Sequence, residues 1–274
     1  MANVPRYDTN NFSFGPGILY IAPYDRVNDK PKYPYIDIGA VRAGAVLRIS
    51  REILDVVQGS PDLIVKSFVR SETVEFTVTS IEWRLDNLYR ALGGGELLTT
   101  DNKIRFGGDM DLDVYTLKFV HTTPTGDTWV IKIWKANPTG ELEINFSNDD
   151  VHQFAFNFRG LKSQYGFADV ITPETIGTGD GSDTSFSATL ANTPVVPHSV
   201  VVRAGNAVGT DNGNGNITGS GIAAGSTINY ETGDITVNFT TAPASGVPVT
   251  VTYAYYVELS QIAAVVEIEK IPAS

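Results

Sequence analysis

Alternation of apolar and polar residues constrains this 274-residue chain more than any other feature of its sequence. Through the first 170 residues, apolar side chains recur at every second position, as expected of strands that pack one face on a core. The clearest runs are Val74-Phe76-Val78, Tyr115-Leu117-Phe119, Trp129-Ile131-Ile133, Leu142-Ile144-Phe146 and Phe154-Phe156-Phe158. This pattern predicts half-buried antiparallel strands and a mainly β fold.

One segment follows helical spacing instead. Thr79 and Glu82 are spaced as a capping box, and Asp86 is placed to pair with Arg90 one turn later. An apolar stripe is formed by Ile81, Leu85, Leu88 and Leu92. We therefore predict one short amphipathic helix, from about residue 80 to residue 92, with its stripe on the sheet. Gly93 is suited to the position after the last turn.

Between Arg51 and Thr73 the clean alternation fades around the turn residues Val57 to Asp62. Charged and apolar residues are mixed on both sides of that turn. The pattern favours a long loop or a protruding hairpin. Such segments inside a β domain are often functional.

The composition changes near Ile171. From there to Tyr256 the chain has six acidic residues and a single base, Arg203, which is a balance of 1 − 6 = −5. Short alternating runs are separated by turns, and Glu231-Thr232-Gly233 has the spacing of a hairpin turn between two of them. We predict a small β-sandwich as a second domain. Residues 263 to 270 form one further strand, which returns to the first domain or reaches a neighbouring subunit.

Composition argues against several classes of protein. The net charge is 20 − 31 = −11 without any cluster of Lys or Arg, which disfavours capture of nucleic acid or of an anionic membrane. The chain has no cysteine, so disulfides and thiol chemistry are absent. No apolar run reaches the roughly 18 residues of a spanning helix, and residues 1 to 17 are interpreted as an arm or strand rather than a targeting peptide.

Signatures of catalysis and metal binding are weak. The histidines His121, His152 and His198 are scattered, and no nucleophile elbow or phosphate-binding loop is present. Carboxylates are densest at Asp109, Asp111 and Asp113 and at Asp149 and Asp150, where crowding in turns favours solvation over catalysis. Residues 211 to 216 partly match a calcium loop but lack its late Glu, so a turn is favoured. We predict no enzyme activity, no cofactor and no metal site.

The order of elements resembles the core of bacteriophage tail tube proteins. The matching residues are Ile38 to Val41, Ser50 to Glu52, Val56 to Gly59 and Glu72 to Thr77, followed by the predicted helix. That family has a strand pair, a long charged loop, a strand of alternating Val, Glu, Phe and Thr type, and a short helix. The resemblance covers about Gly15 to Lys162. It implies a tail tube domain of β-sandwich or barrel type at residues 1–170, with a stacking loop at about 51–73.

The second domain is similar to a small Ig-like β-sandwich module of phage and prophage structural proteins. The similarity is carried by residues 177–182, 190–197 and 228–233. It implies an Ig-like decoration domain at residues 171–256, followed by a C-terminal strand or arm at 257–274.

The resemblance implies a structural role. Subunits of this family join their sheets into hexameric rings, and the stacked rings form the tail tube through which DNA is ejected into the host. The inter-ring and subunit contacts would come from the loop residues Arg51, Glu52, Gln58, Asp62, Lys66, Arg70 and Glu72. The expected partners are other copies of the chain, a tape measure protein, and terminator and baseplate proteins. DNA would pass through an acidic lumen without specific binding, and no membrane is involved.

The expected location is the virion tail, after assembly in the host cytoplasm, with the second domain outside and in weak contact with host-surface glycans. Two other readings remain open. The first is the inner tube of a contractile injection machine, although a bulky outer domain would obstruct a sheath and favours a noncontractile tail. The second is a carbohydrate-binding, adhesin-type virion surface protein. Oligomerisation distinguishes an adhesin from a tube protein, because an adhesin stays a small soluble species whereas a tube protein makes rings or polymer.

Overall fold

A computed structural model describes residues 17–108, 111–139, 142, 152–170, 172–260 and 265–273. Within these residues the fold is mainly β, as predicted, with antiparallel strands and one helix. The described residues form two compact units, the first within 1–24, 36–163 and 262–274 and the second within 25–35 and 164–261. The predicted strand at 142–146, the N-terminal arm up to residue 16, Asp109, Asp149 and Asp150 lie wholly or mostly outside the described residues.

The helix α1 spans Leu85–Leu92, and the strands are, in chain order, β1 (Gly17–Asp25), β2 (Lys30–Pro31), β3 (Ile36–Asp37), β4 (Val41–Gln58), β5 (Leu63–Ser80), β6 (Glu96–Leu98), β7 (Lys103–Arg105), β8 (Tyr115–Thr122), β9 (Thr128–Pro138), β10 (Phe154–Gly160), β11 (Tyr165–Asp169), β12 (Glu174–Thr178), β13 (Ser185–Thr189), β14 (Val201–Ala204), β15 (Ala207–Asp211), β16 (Ile217–Ser220), β17 (Thr227–Ile228), β18 (Asp234–Asn238), β19 (Pro248–Thr252), β20 (Ala254–Glu258) and β21 (Val266–Ile271).

The first unit is built on one antiparallel sheet in which the pairings run β3-β1-β8-β9-β10-β5-β4. The last strand, β21, also joins this sheet, because Val266 to Ile271 pair with the first half of β9. The second half of β9 pairs with β10 on the same side. The C-terminal strand therefore returns to the sheet of its own chain and fills the edge of β9 that β10 leaves open.

Alternation correctly predicts most of the core of this sheet. Val74, Phe76 and Val78 on β5 are buried, and so are the three phenylalanines of β10 and the predicted inward residues of β8. The prediction for β9 is wrong in part. Trp129 is 38% exposed, whereas Val130, predicted to face outward, is 4% exposed. In the second half of β9 the consecutive residues Ile133 and Trp134 are both buried, so the strand is covered on both faces there and does not alternate.

The helix is present but begins later than predicted, and the predicted capping box is wrong. Residue Arg84 occupies the N-cap position with extended backbone and makes no side-chain cap. The carboxylate of Glu82 instead accepts a hydrogen bond from the Ala40 backbone N–H at 3.0 Å. Asp86 and Arg90 pair at 2.7 Å as predicted. Gly93 ends the helix in the left-handed region, with φ of 72°, as predicted.

The second unit is a two-sheet sandwich. One sheet has the order β12-β19-β14-β15-β16 and the other the order β13-β18-β17. Both sheets contribute to one apolar core, with Val202 and Val251 from the first and Ile235 and Val237 from the second. The predicted hairpin at 228–236 is confirmed, because Ile228 pairs with Ile235 across the turn. A further pair of strands, β11 and β20, belongs to this unit.

Candidate self-assembly surface

The most exposed part of the first unit is the hairpin formed by β4 and β5. Each strand is 18 residues long, and their register runs from Val41 opposite Ser80 to Gln58 opposite Leu63. Gly59, with φ of 109°, allows the reversal at the tip. Val74 and Phe76, near the base, are buried in the sheet core, but every residue from 48 to 72 is exposed. The hairpin therefore extends far beyond the core that anchors it. We call residues 48–72 the ribbon.

The ribbon is apolar on both faces. Ile53 opposes Val69, and the next position along β4, Leu54, opposes Phe68. Consecutive strand residues point to opposite faces, so the two pairs lie on different faces. All four side chains are between 46% and 55% exposed. Other exposed apolar residues of the ribbon are Ile49, Val56, Val57, Leu63, Ile64 and Val65.

Nothing in the part of the chain that the structure describes covers this surface. A two-stranded hairpin is marginally stable in water on its own, and a large contiguous apolar surface on a soluble protein usually marks a contact site. The edges of the ribbon are also open among the described residues. Strand β4 pairs with β5 alone, and β10 pairs only with the 75–80 part of β5. The ribbon thus offers both side chains and backbone groups to a partner.

The sequence-predicted contact residues lie on this ribbon, and four of them pair with each other. The Arg51 guanidinium contacts Glu72 at 2.5 Å, directly across the two strands, and Arg70 contacts Glu52 at 3.0 Å. All four side chains are more than a third exposed, so each pair is expected to contribute about 0.2–1 kcal/mol to stability. These pairs reinforce the register of the hairpin.

The other three predicted residues lie nearer the tip. Gln58 is the last paired residue of β4, and Asp62 is in the turn. The Lys66 ammonium lies 4.6 Å from the centroid of the Phe68 ring. Within the described part of the chain, neither Asp62 nor Lys66 forms an ion pair. Their charges are therefore available to a partner molecule.

The prediction from sequence omitted the apolar residues of the ribbon, although the chain carries a signal for them. The doublets Ile53-Leu54, Val56-Val57 and Phe68-Val69 interrupt the period of two. In an extended strand such doublets place apolar side chains on both faces. The same doublets are the reason that alternation fades between residues 51 and 73.

The described residues were also compared with the metal, calcium-loop and membrane-spanning patterns considered from the sequence. In the described ranges no group of three or more His, Asp or Glu side chains is placed to hold a metal ion. The predicted turn at 211–216 is present, and its first residue, Asp211, is buried and accepts hydrogen bonds from the backbone N–H groups of His198 and Val200. None of the helical residues that the structure describes forms a segment long and apolar enough to cross a membrane.

Comparison of the sequence with models of known protein families and with curated proteins found no match.

Proposed function

We propose that this chain is a structural protein that assembles with copies of itself through the ribbon. The observation that carries the proposal is an anchored hairpin in which every residue from 48 to 72 is exposed and in which apolar side chains occur on both faces. Fully burying a Leu, Ile or Phe side chain is worth about 1.5–3 kcal/mol. A partner that covers both faces therefore supplies the core that the ribbon lacks.

The form of the assembly follows from the resemblance of the sequence to bacteriophage tail tube proteins. In this proposal the chains form hexameric rings, the ribbons bridge neighbouring subunits or rings, and the stack is a tube that conducts DNA. Two observations support it. The open edge of β4 suits the joining of sheets between subunits, and the net charge of −11 keeps DNA from adhering.

The test is negative-stain electron microscopy of the purified chain, concentrated at moderate salt to screen its acidic self-repulsion. We expect hollow tubes or six-fold rings. The matched variant removes residues 52–71 and joins Arg51 to Glu72 by Asn-Gly, a pair suited to a two-residue hairpin turn. Because Arg51 and Glu72 are register partners, this variant keeps the anchored part of the hairpin.

We expect the shortened variant to remain monomeric. Its far-UV circular dichroism spectrum should still be that of a folded β protein, with only the β signal of the deleted strand residues lost. Tubes that still form in this variant would show that another surface drives assembly. A wild-type chain that stays monomeric at every concentration and salt level would overturn the proposal.

A further inference from the structure

The loop 212–216, which joins β15 to β16 in the second unit, contains two consecutive Asn-Gly steps. These are Asn212-Gly213 and Asn214-Gly215, and the sequence has no other. An asparagine before glycine is chemically labile in water, because the backbone nitrogen of the glycine attacks the side-chain carbonyl carbon of the asparagine. Glycine has no Cβ to hinder that approach. The structure decides which of the two steps is open to this reaction.

The backbone geometry of the two steps is similar. Gly213 and Gly215 both lie in the left-handed region, with φ of 79° and 85°. Each glycine N–H also donates one hydrogen bond, that of Gly213 to the Asp211 carboxylate at 3.3 Å and that of Gly215 to the Tyr230 hydroxyl at 3.1 Å. The two attacking nitrogens are therefore held to a similar degree, and the difference between the steps lies in the asparagine side chains.

The side chain of Asn212 is fixed by the loop. Its Oδ1 accepts hydrogen bonds from the backbone N–H groups of Asn214 and Asn216, at 2.9 and 3.2 Å. The Asn212 backbone N–H in turn donates to the Asn216 carbonyl at 2.9 Å. An asparagine that accepts backbone hydrogen bonds in this way holds a turn together. Rotation of its amide toward Gly213 would break both bonds to Oδ1 and leave two backbone N–H groups without that acceptor.

The side chain of Asn214 is not fixed in this way. It is exposed, and no residue that the structure describes forms a hydrogen bond with its amide. Exposed side chains change rotamer within nanoseconds. The carbonyl carbon of Asn214 therefore reaches the Gly215 nitrogen often and without the loss of a side-chain hydrogen bond.

We infer that Asn214 is a site of spontaneous deamidation that the fold selects over Asn212. The Gly215 nitrogen forms a bond to Cγ of Asn214 and gives up its proton to water. The bond from Cγ to the amide nitrogen breaks, and that nitrogen takes a proton from water and leaves as ammonia. Water then adds to either carbonyl of the resulting cyclic imide and opens the ring, which gives aspartate or isoaspartate. One water is consumed, one ammonia is released, and nothing is oxidised or reduced.

The reaction adds one negative charge to a concave surface of the second unit. Asn214 lies on the wall of a cleft of about 920 Å³ whose charged residues are Lys30, Lys32, Asp25 and Glu231. Burial opposes ionisation of Asp25, but the hydrogen bonds from Asn28 and the contact with Lys32 outweigh it and lower the pKa of Asp25 to about 2, so its carboxyl group is charged near neutral pH.

The charges of this cleft cancel before the reaction, with His198 counted as neutral, because two lysines stand against two carboxylates, which gives 2 − 2 = 0. Conversion of Asn214 makes the balance 2 − 3 = −1. Deamidation thus changes the cleft from neutral to acidic, and the change is not reversed by the protein. It does not depend on tube formation, since the loop and the cleft belong to the second unit.

The test incubates the full chain at mildly alkaline pH, both folded and in urea, and follows the acid content at positions 212 and 214 by tandem mass spectrometry. In the folded chain we expect Asn214 to convert about tenfold or more faster than Asn212, because only Asn212 must lose two side-chain hydrogen bonds. In urea the two rates should become similar, since each asparagine then precedes a glycine in an unfolded chain.

Two variants check the assignment. Asn214→Gln should remove the fast reaction, because the longer side chain would have to close a larger and less favourable ring. Asn216→Gln is the matched control, since it makes the same change at an exposed asparagine that precedes Ile217, and it should leave the rate at Asn214 unchanged. Circular dichroism of both variants checks that they are folded.

Three results would overturn the inference. The first is conversion of Asn212 as fast as that of Asn214, or faster, in the folded chain. The second is an Asn214 that stays intact in the folded chain while the chain in urea is converted. The third is the same preference for Asn214 in urea as in the folded chain, which would assign the selectivity to the sequence and not to the fold.

Discussion

Leu54 and Phe68 are directly opposed across the β4–β5 hairpin, and their side chains are 52% and 46% exposed. A cross-strand pair of this kind contributes about 0.2–1 kcal/mol to a hairpin. That contribution is small compared with the gain from covering both side chains in an interface. The arrangement is thus better suited to association than to the stability of one chain.

Phe68→Glu is predicted to abolish assembly while leaving the fold intact. A carboxylate placed in the ribbon would have to be buried by a partner, whereas in the single chain it stays in water. We expect a change of at most about 1 kcal/mol in the free energy of unfolding. Phe106→Glu is the matched control, because Phe106 is 66% exposed in the same unit but lies outside the ribbon. Sedimentation velocity measures assembly, and equal loss in both variants would argue against the ribbon.

Reversing the Arg51–Glu72 pair distinguishes a role within the hairpin from a role between subunits. Arg51→Glu alone places two carboxylates opposite each other, which is destabilising, and should raise the critical concentration for assembly. The double reversal, Arg51→Glu with Glu72→Arg, restores the pair and should restore assembly if the contact is internal. Failure of the double reversal would instead assign these charges to contacts with a partner. Light scattering against protein concentration gives the critical concentration.

Asp211→Ala is predicted to destabilise the second unit by about 2–4 kcal/mol. The carboxylate is buried and accepts hydrogen bonds from the backbone N–H groups of His198 and Val200 and from the Tyr230 hydroxyl, all of which would lose a charged acceptor. Tyr230→Phe should cost less, about 1–2 kcal/mol, because it removes one donor to Asp211 and one acceptor for the Gly215 backbone N–H but leaves the buried carboxylate its backbone donors. Urea denaturation checks both values, with near-UV circular dichroism of the tyrosines recording both units and tryptophan fluorescence recording the first unit alone. All three tryptophans, Trp83, Trp129 and Trp134, lie in the first unit and report on it separately.

Removal of residues 262–274 is predicted to destabilise the first unit. It would expose the edge of β9 along residues 128–133 and would leave Lys132 without Glu267 and Glu269, which it contacts at 3.1 and 3.5 Å. We expect a lower midpoint in tryptophan-detected urea denaturation and a greater tendency to aggregate. An unchanged midpoint would show that β21 adds nothing to the sheet. The double variant Glu267→Gln with Glu269→Gln removes only the two ion pairs with Lys132 and keeps the strand. It should lower the midpoint much less than the truncation does.

Because of Asp25, the free energy of unfolding of the second unit is expected to fall at acidic pH. Its folded pKa, about 2, lies below its ordinary value of 3.8, so its contribution is complete above the ordinary value and is lost as pH falls towards about 2. The difference in free energy of unfolding between the wild type and Asp25→Asn should therefore be constant above about pH 5 and shrink at lower pH. Tyrosine-detected urea denaturation at several pH values measures it. A difference that does not change with pH would contradict this account.

Local signals predicted the elements of the chain well. The alternation at 74–78 and 154–158, the Asp86–Arg90 pair and the Gly93 helix end each depend on residues a few positions apart, and the structure confirms them. The helix start was wrong because Glu82 is engaged by Ala40, a residue 42 positions away. Spacing within a window of a few residues cannot reveal such a competitor.

By itself the sequence determined the mainly β character of the protein, the end of its helix at Gly93, the hairpin turn at 231–233, and the absence of thiol chemistry. Tertiary structure decided that β21 pairs with β9, that segment 25–35 belongs to the second unit, and that no described residue covers the ribbon from 48 to 72. The physical reason is that periodicity shows which side chains share a face of a strand. What covers that face depends on residues brought together from distant parts of the chain.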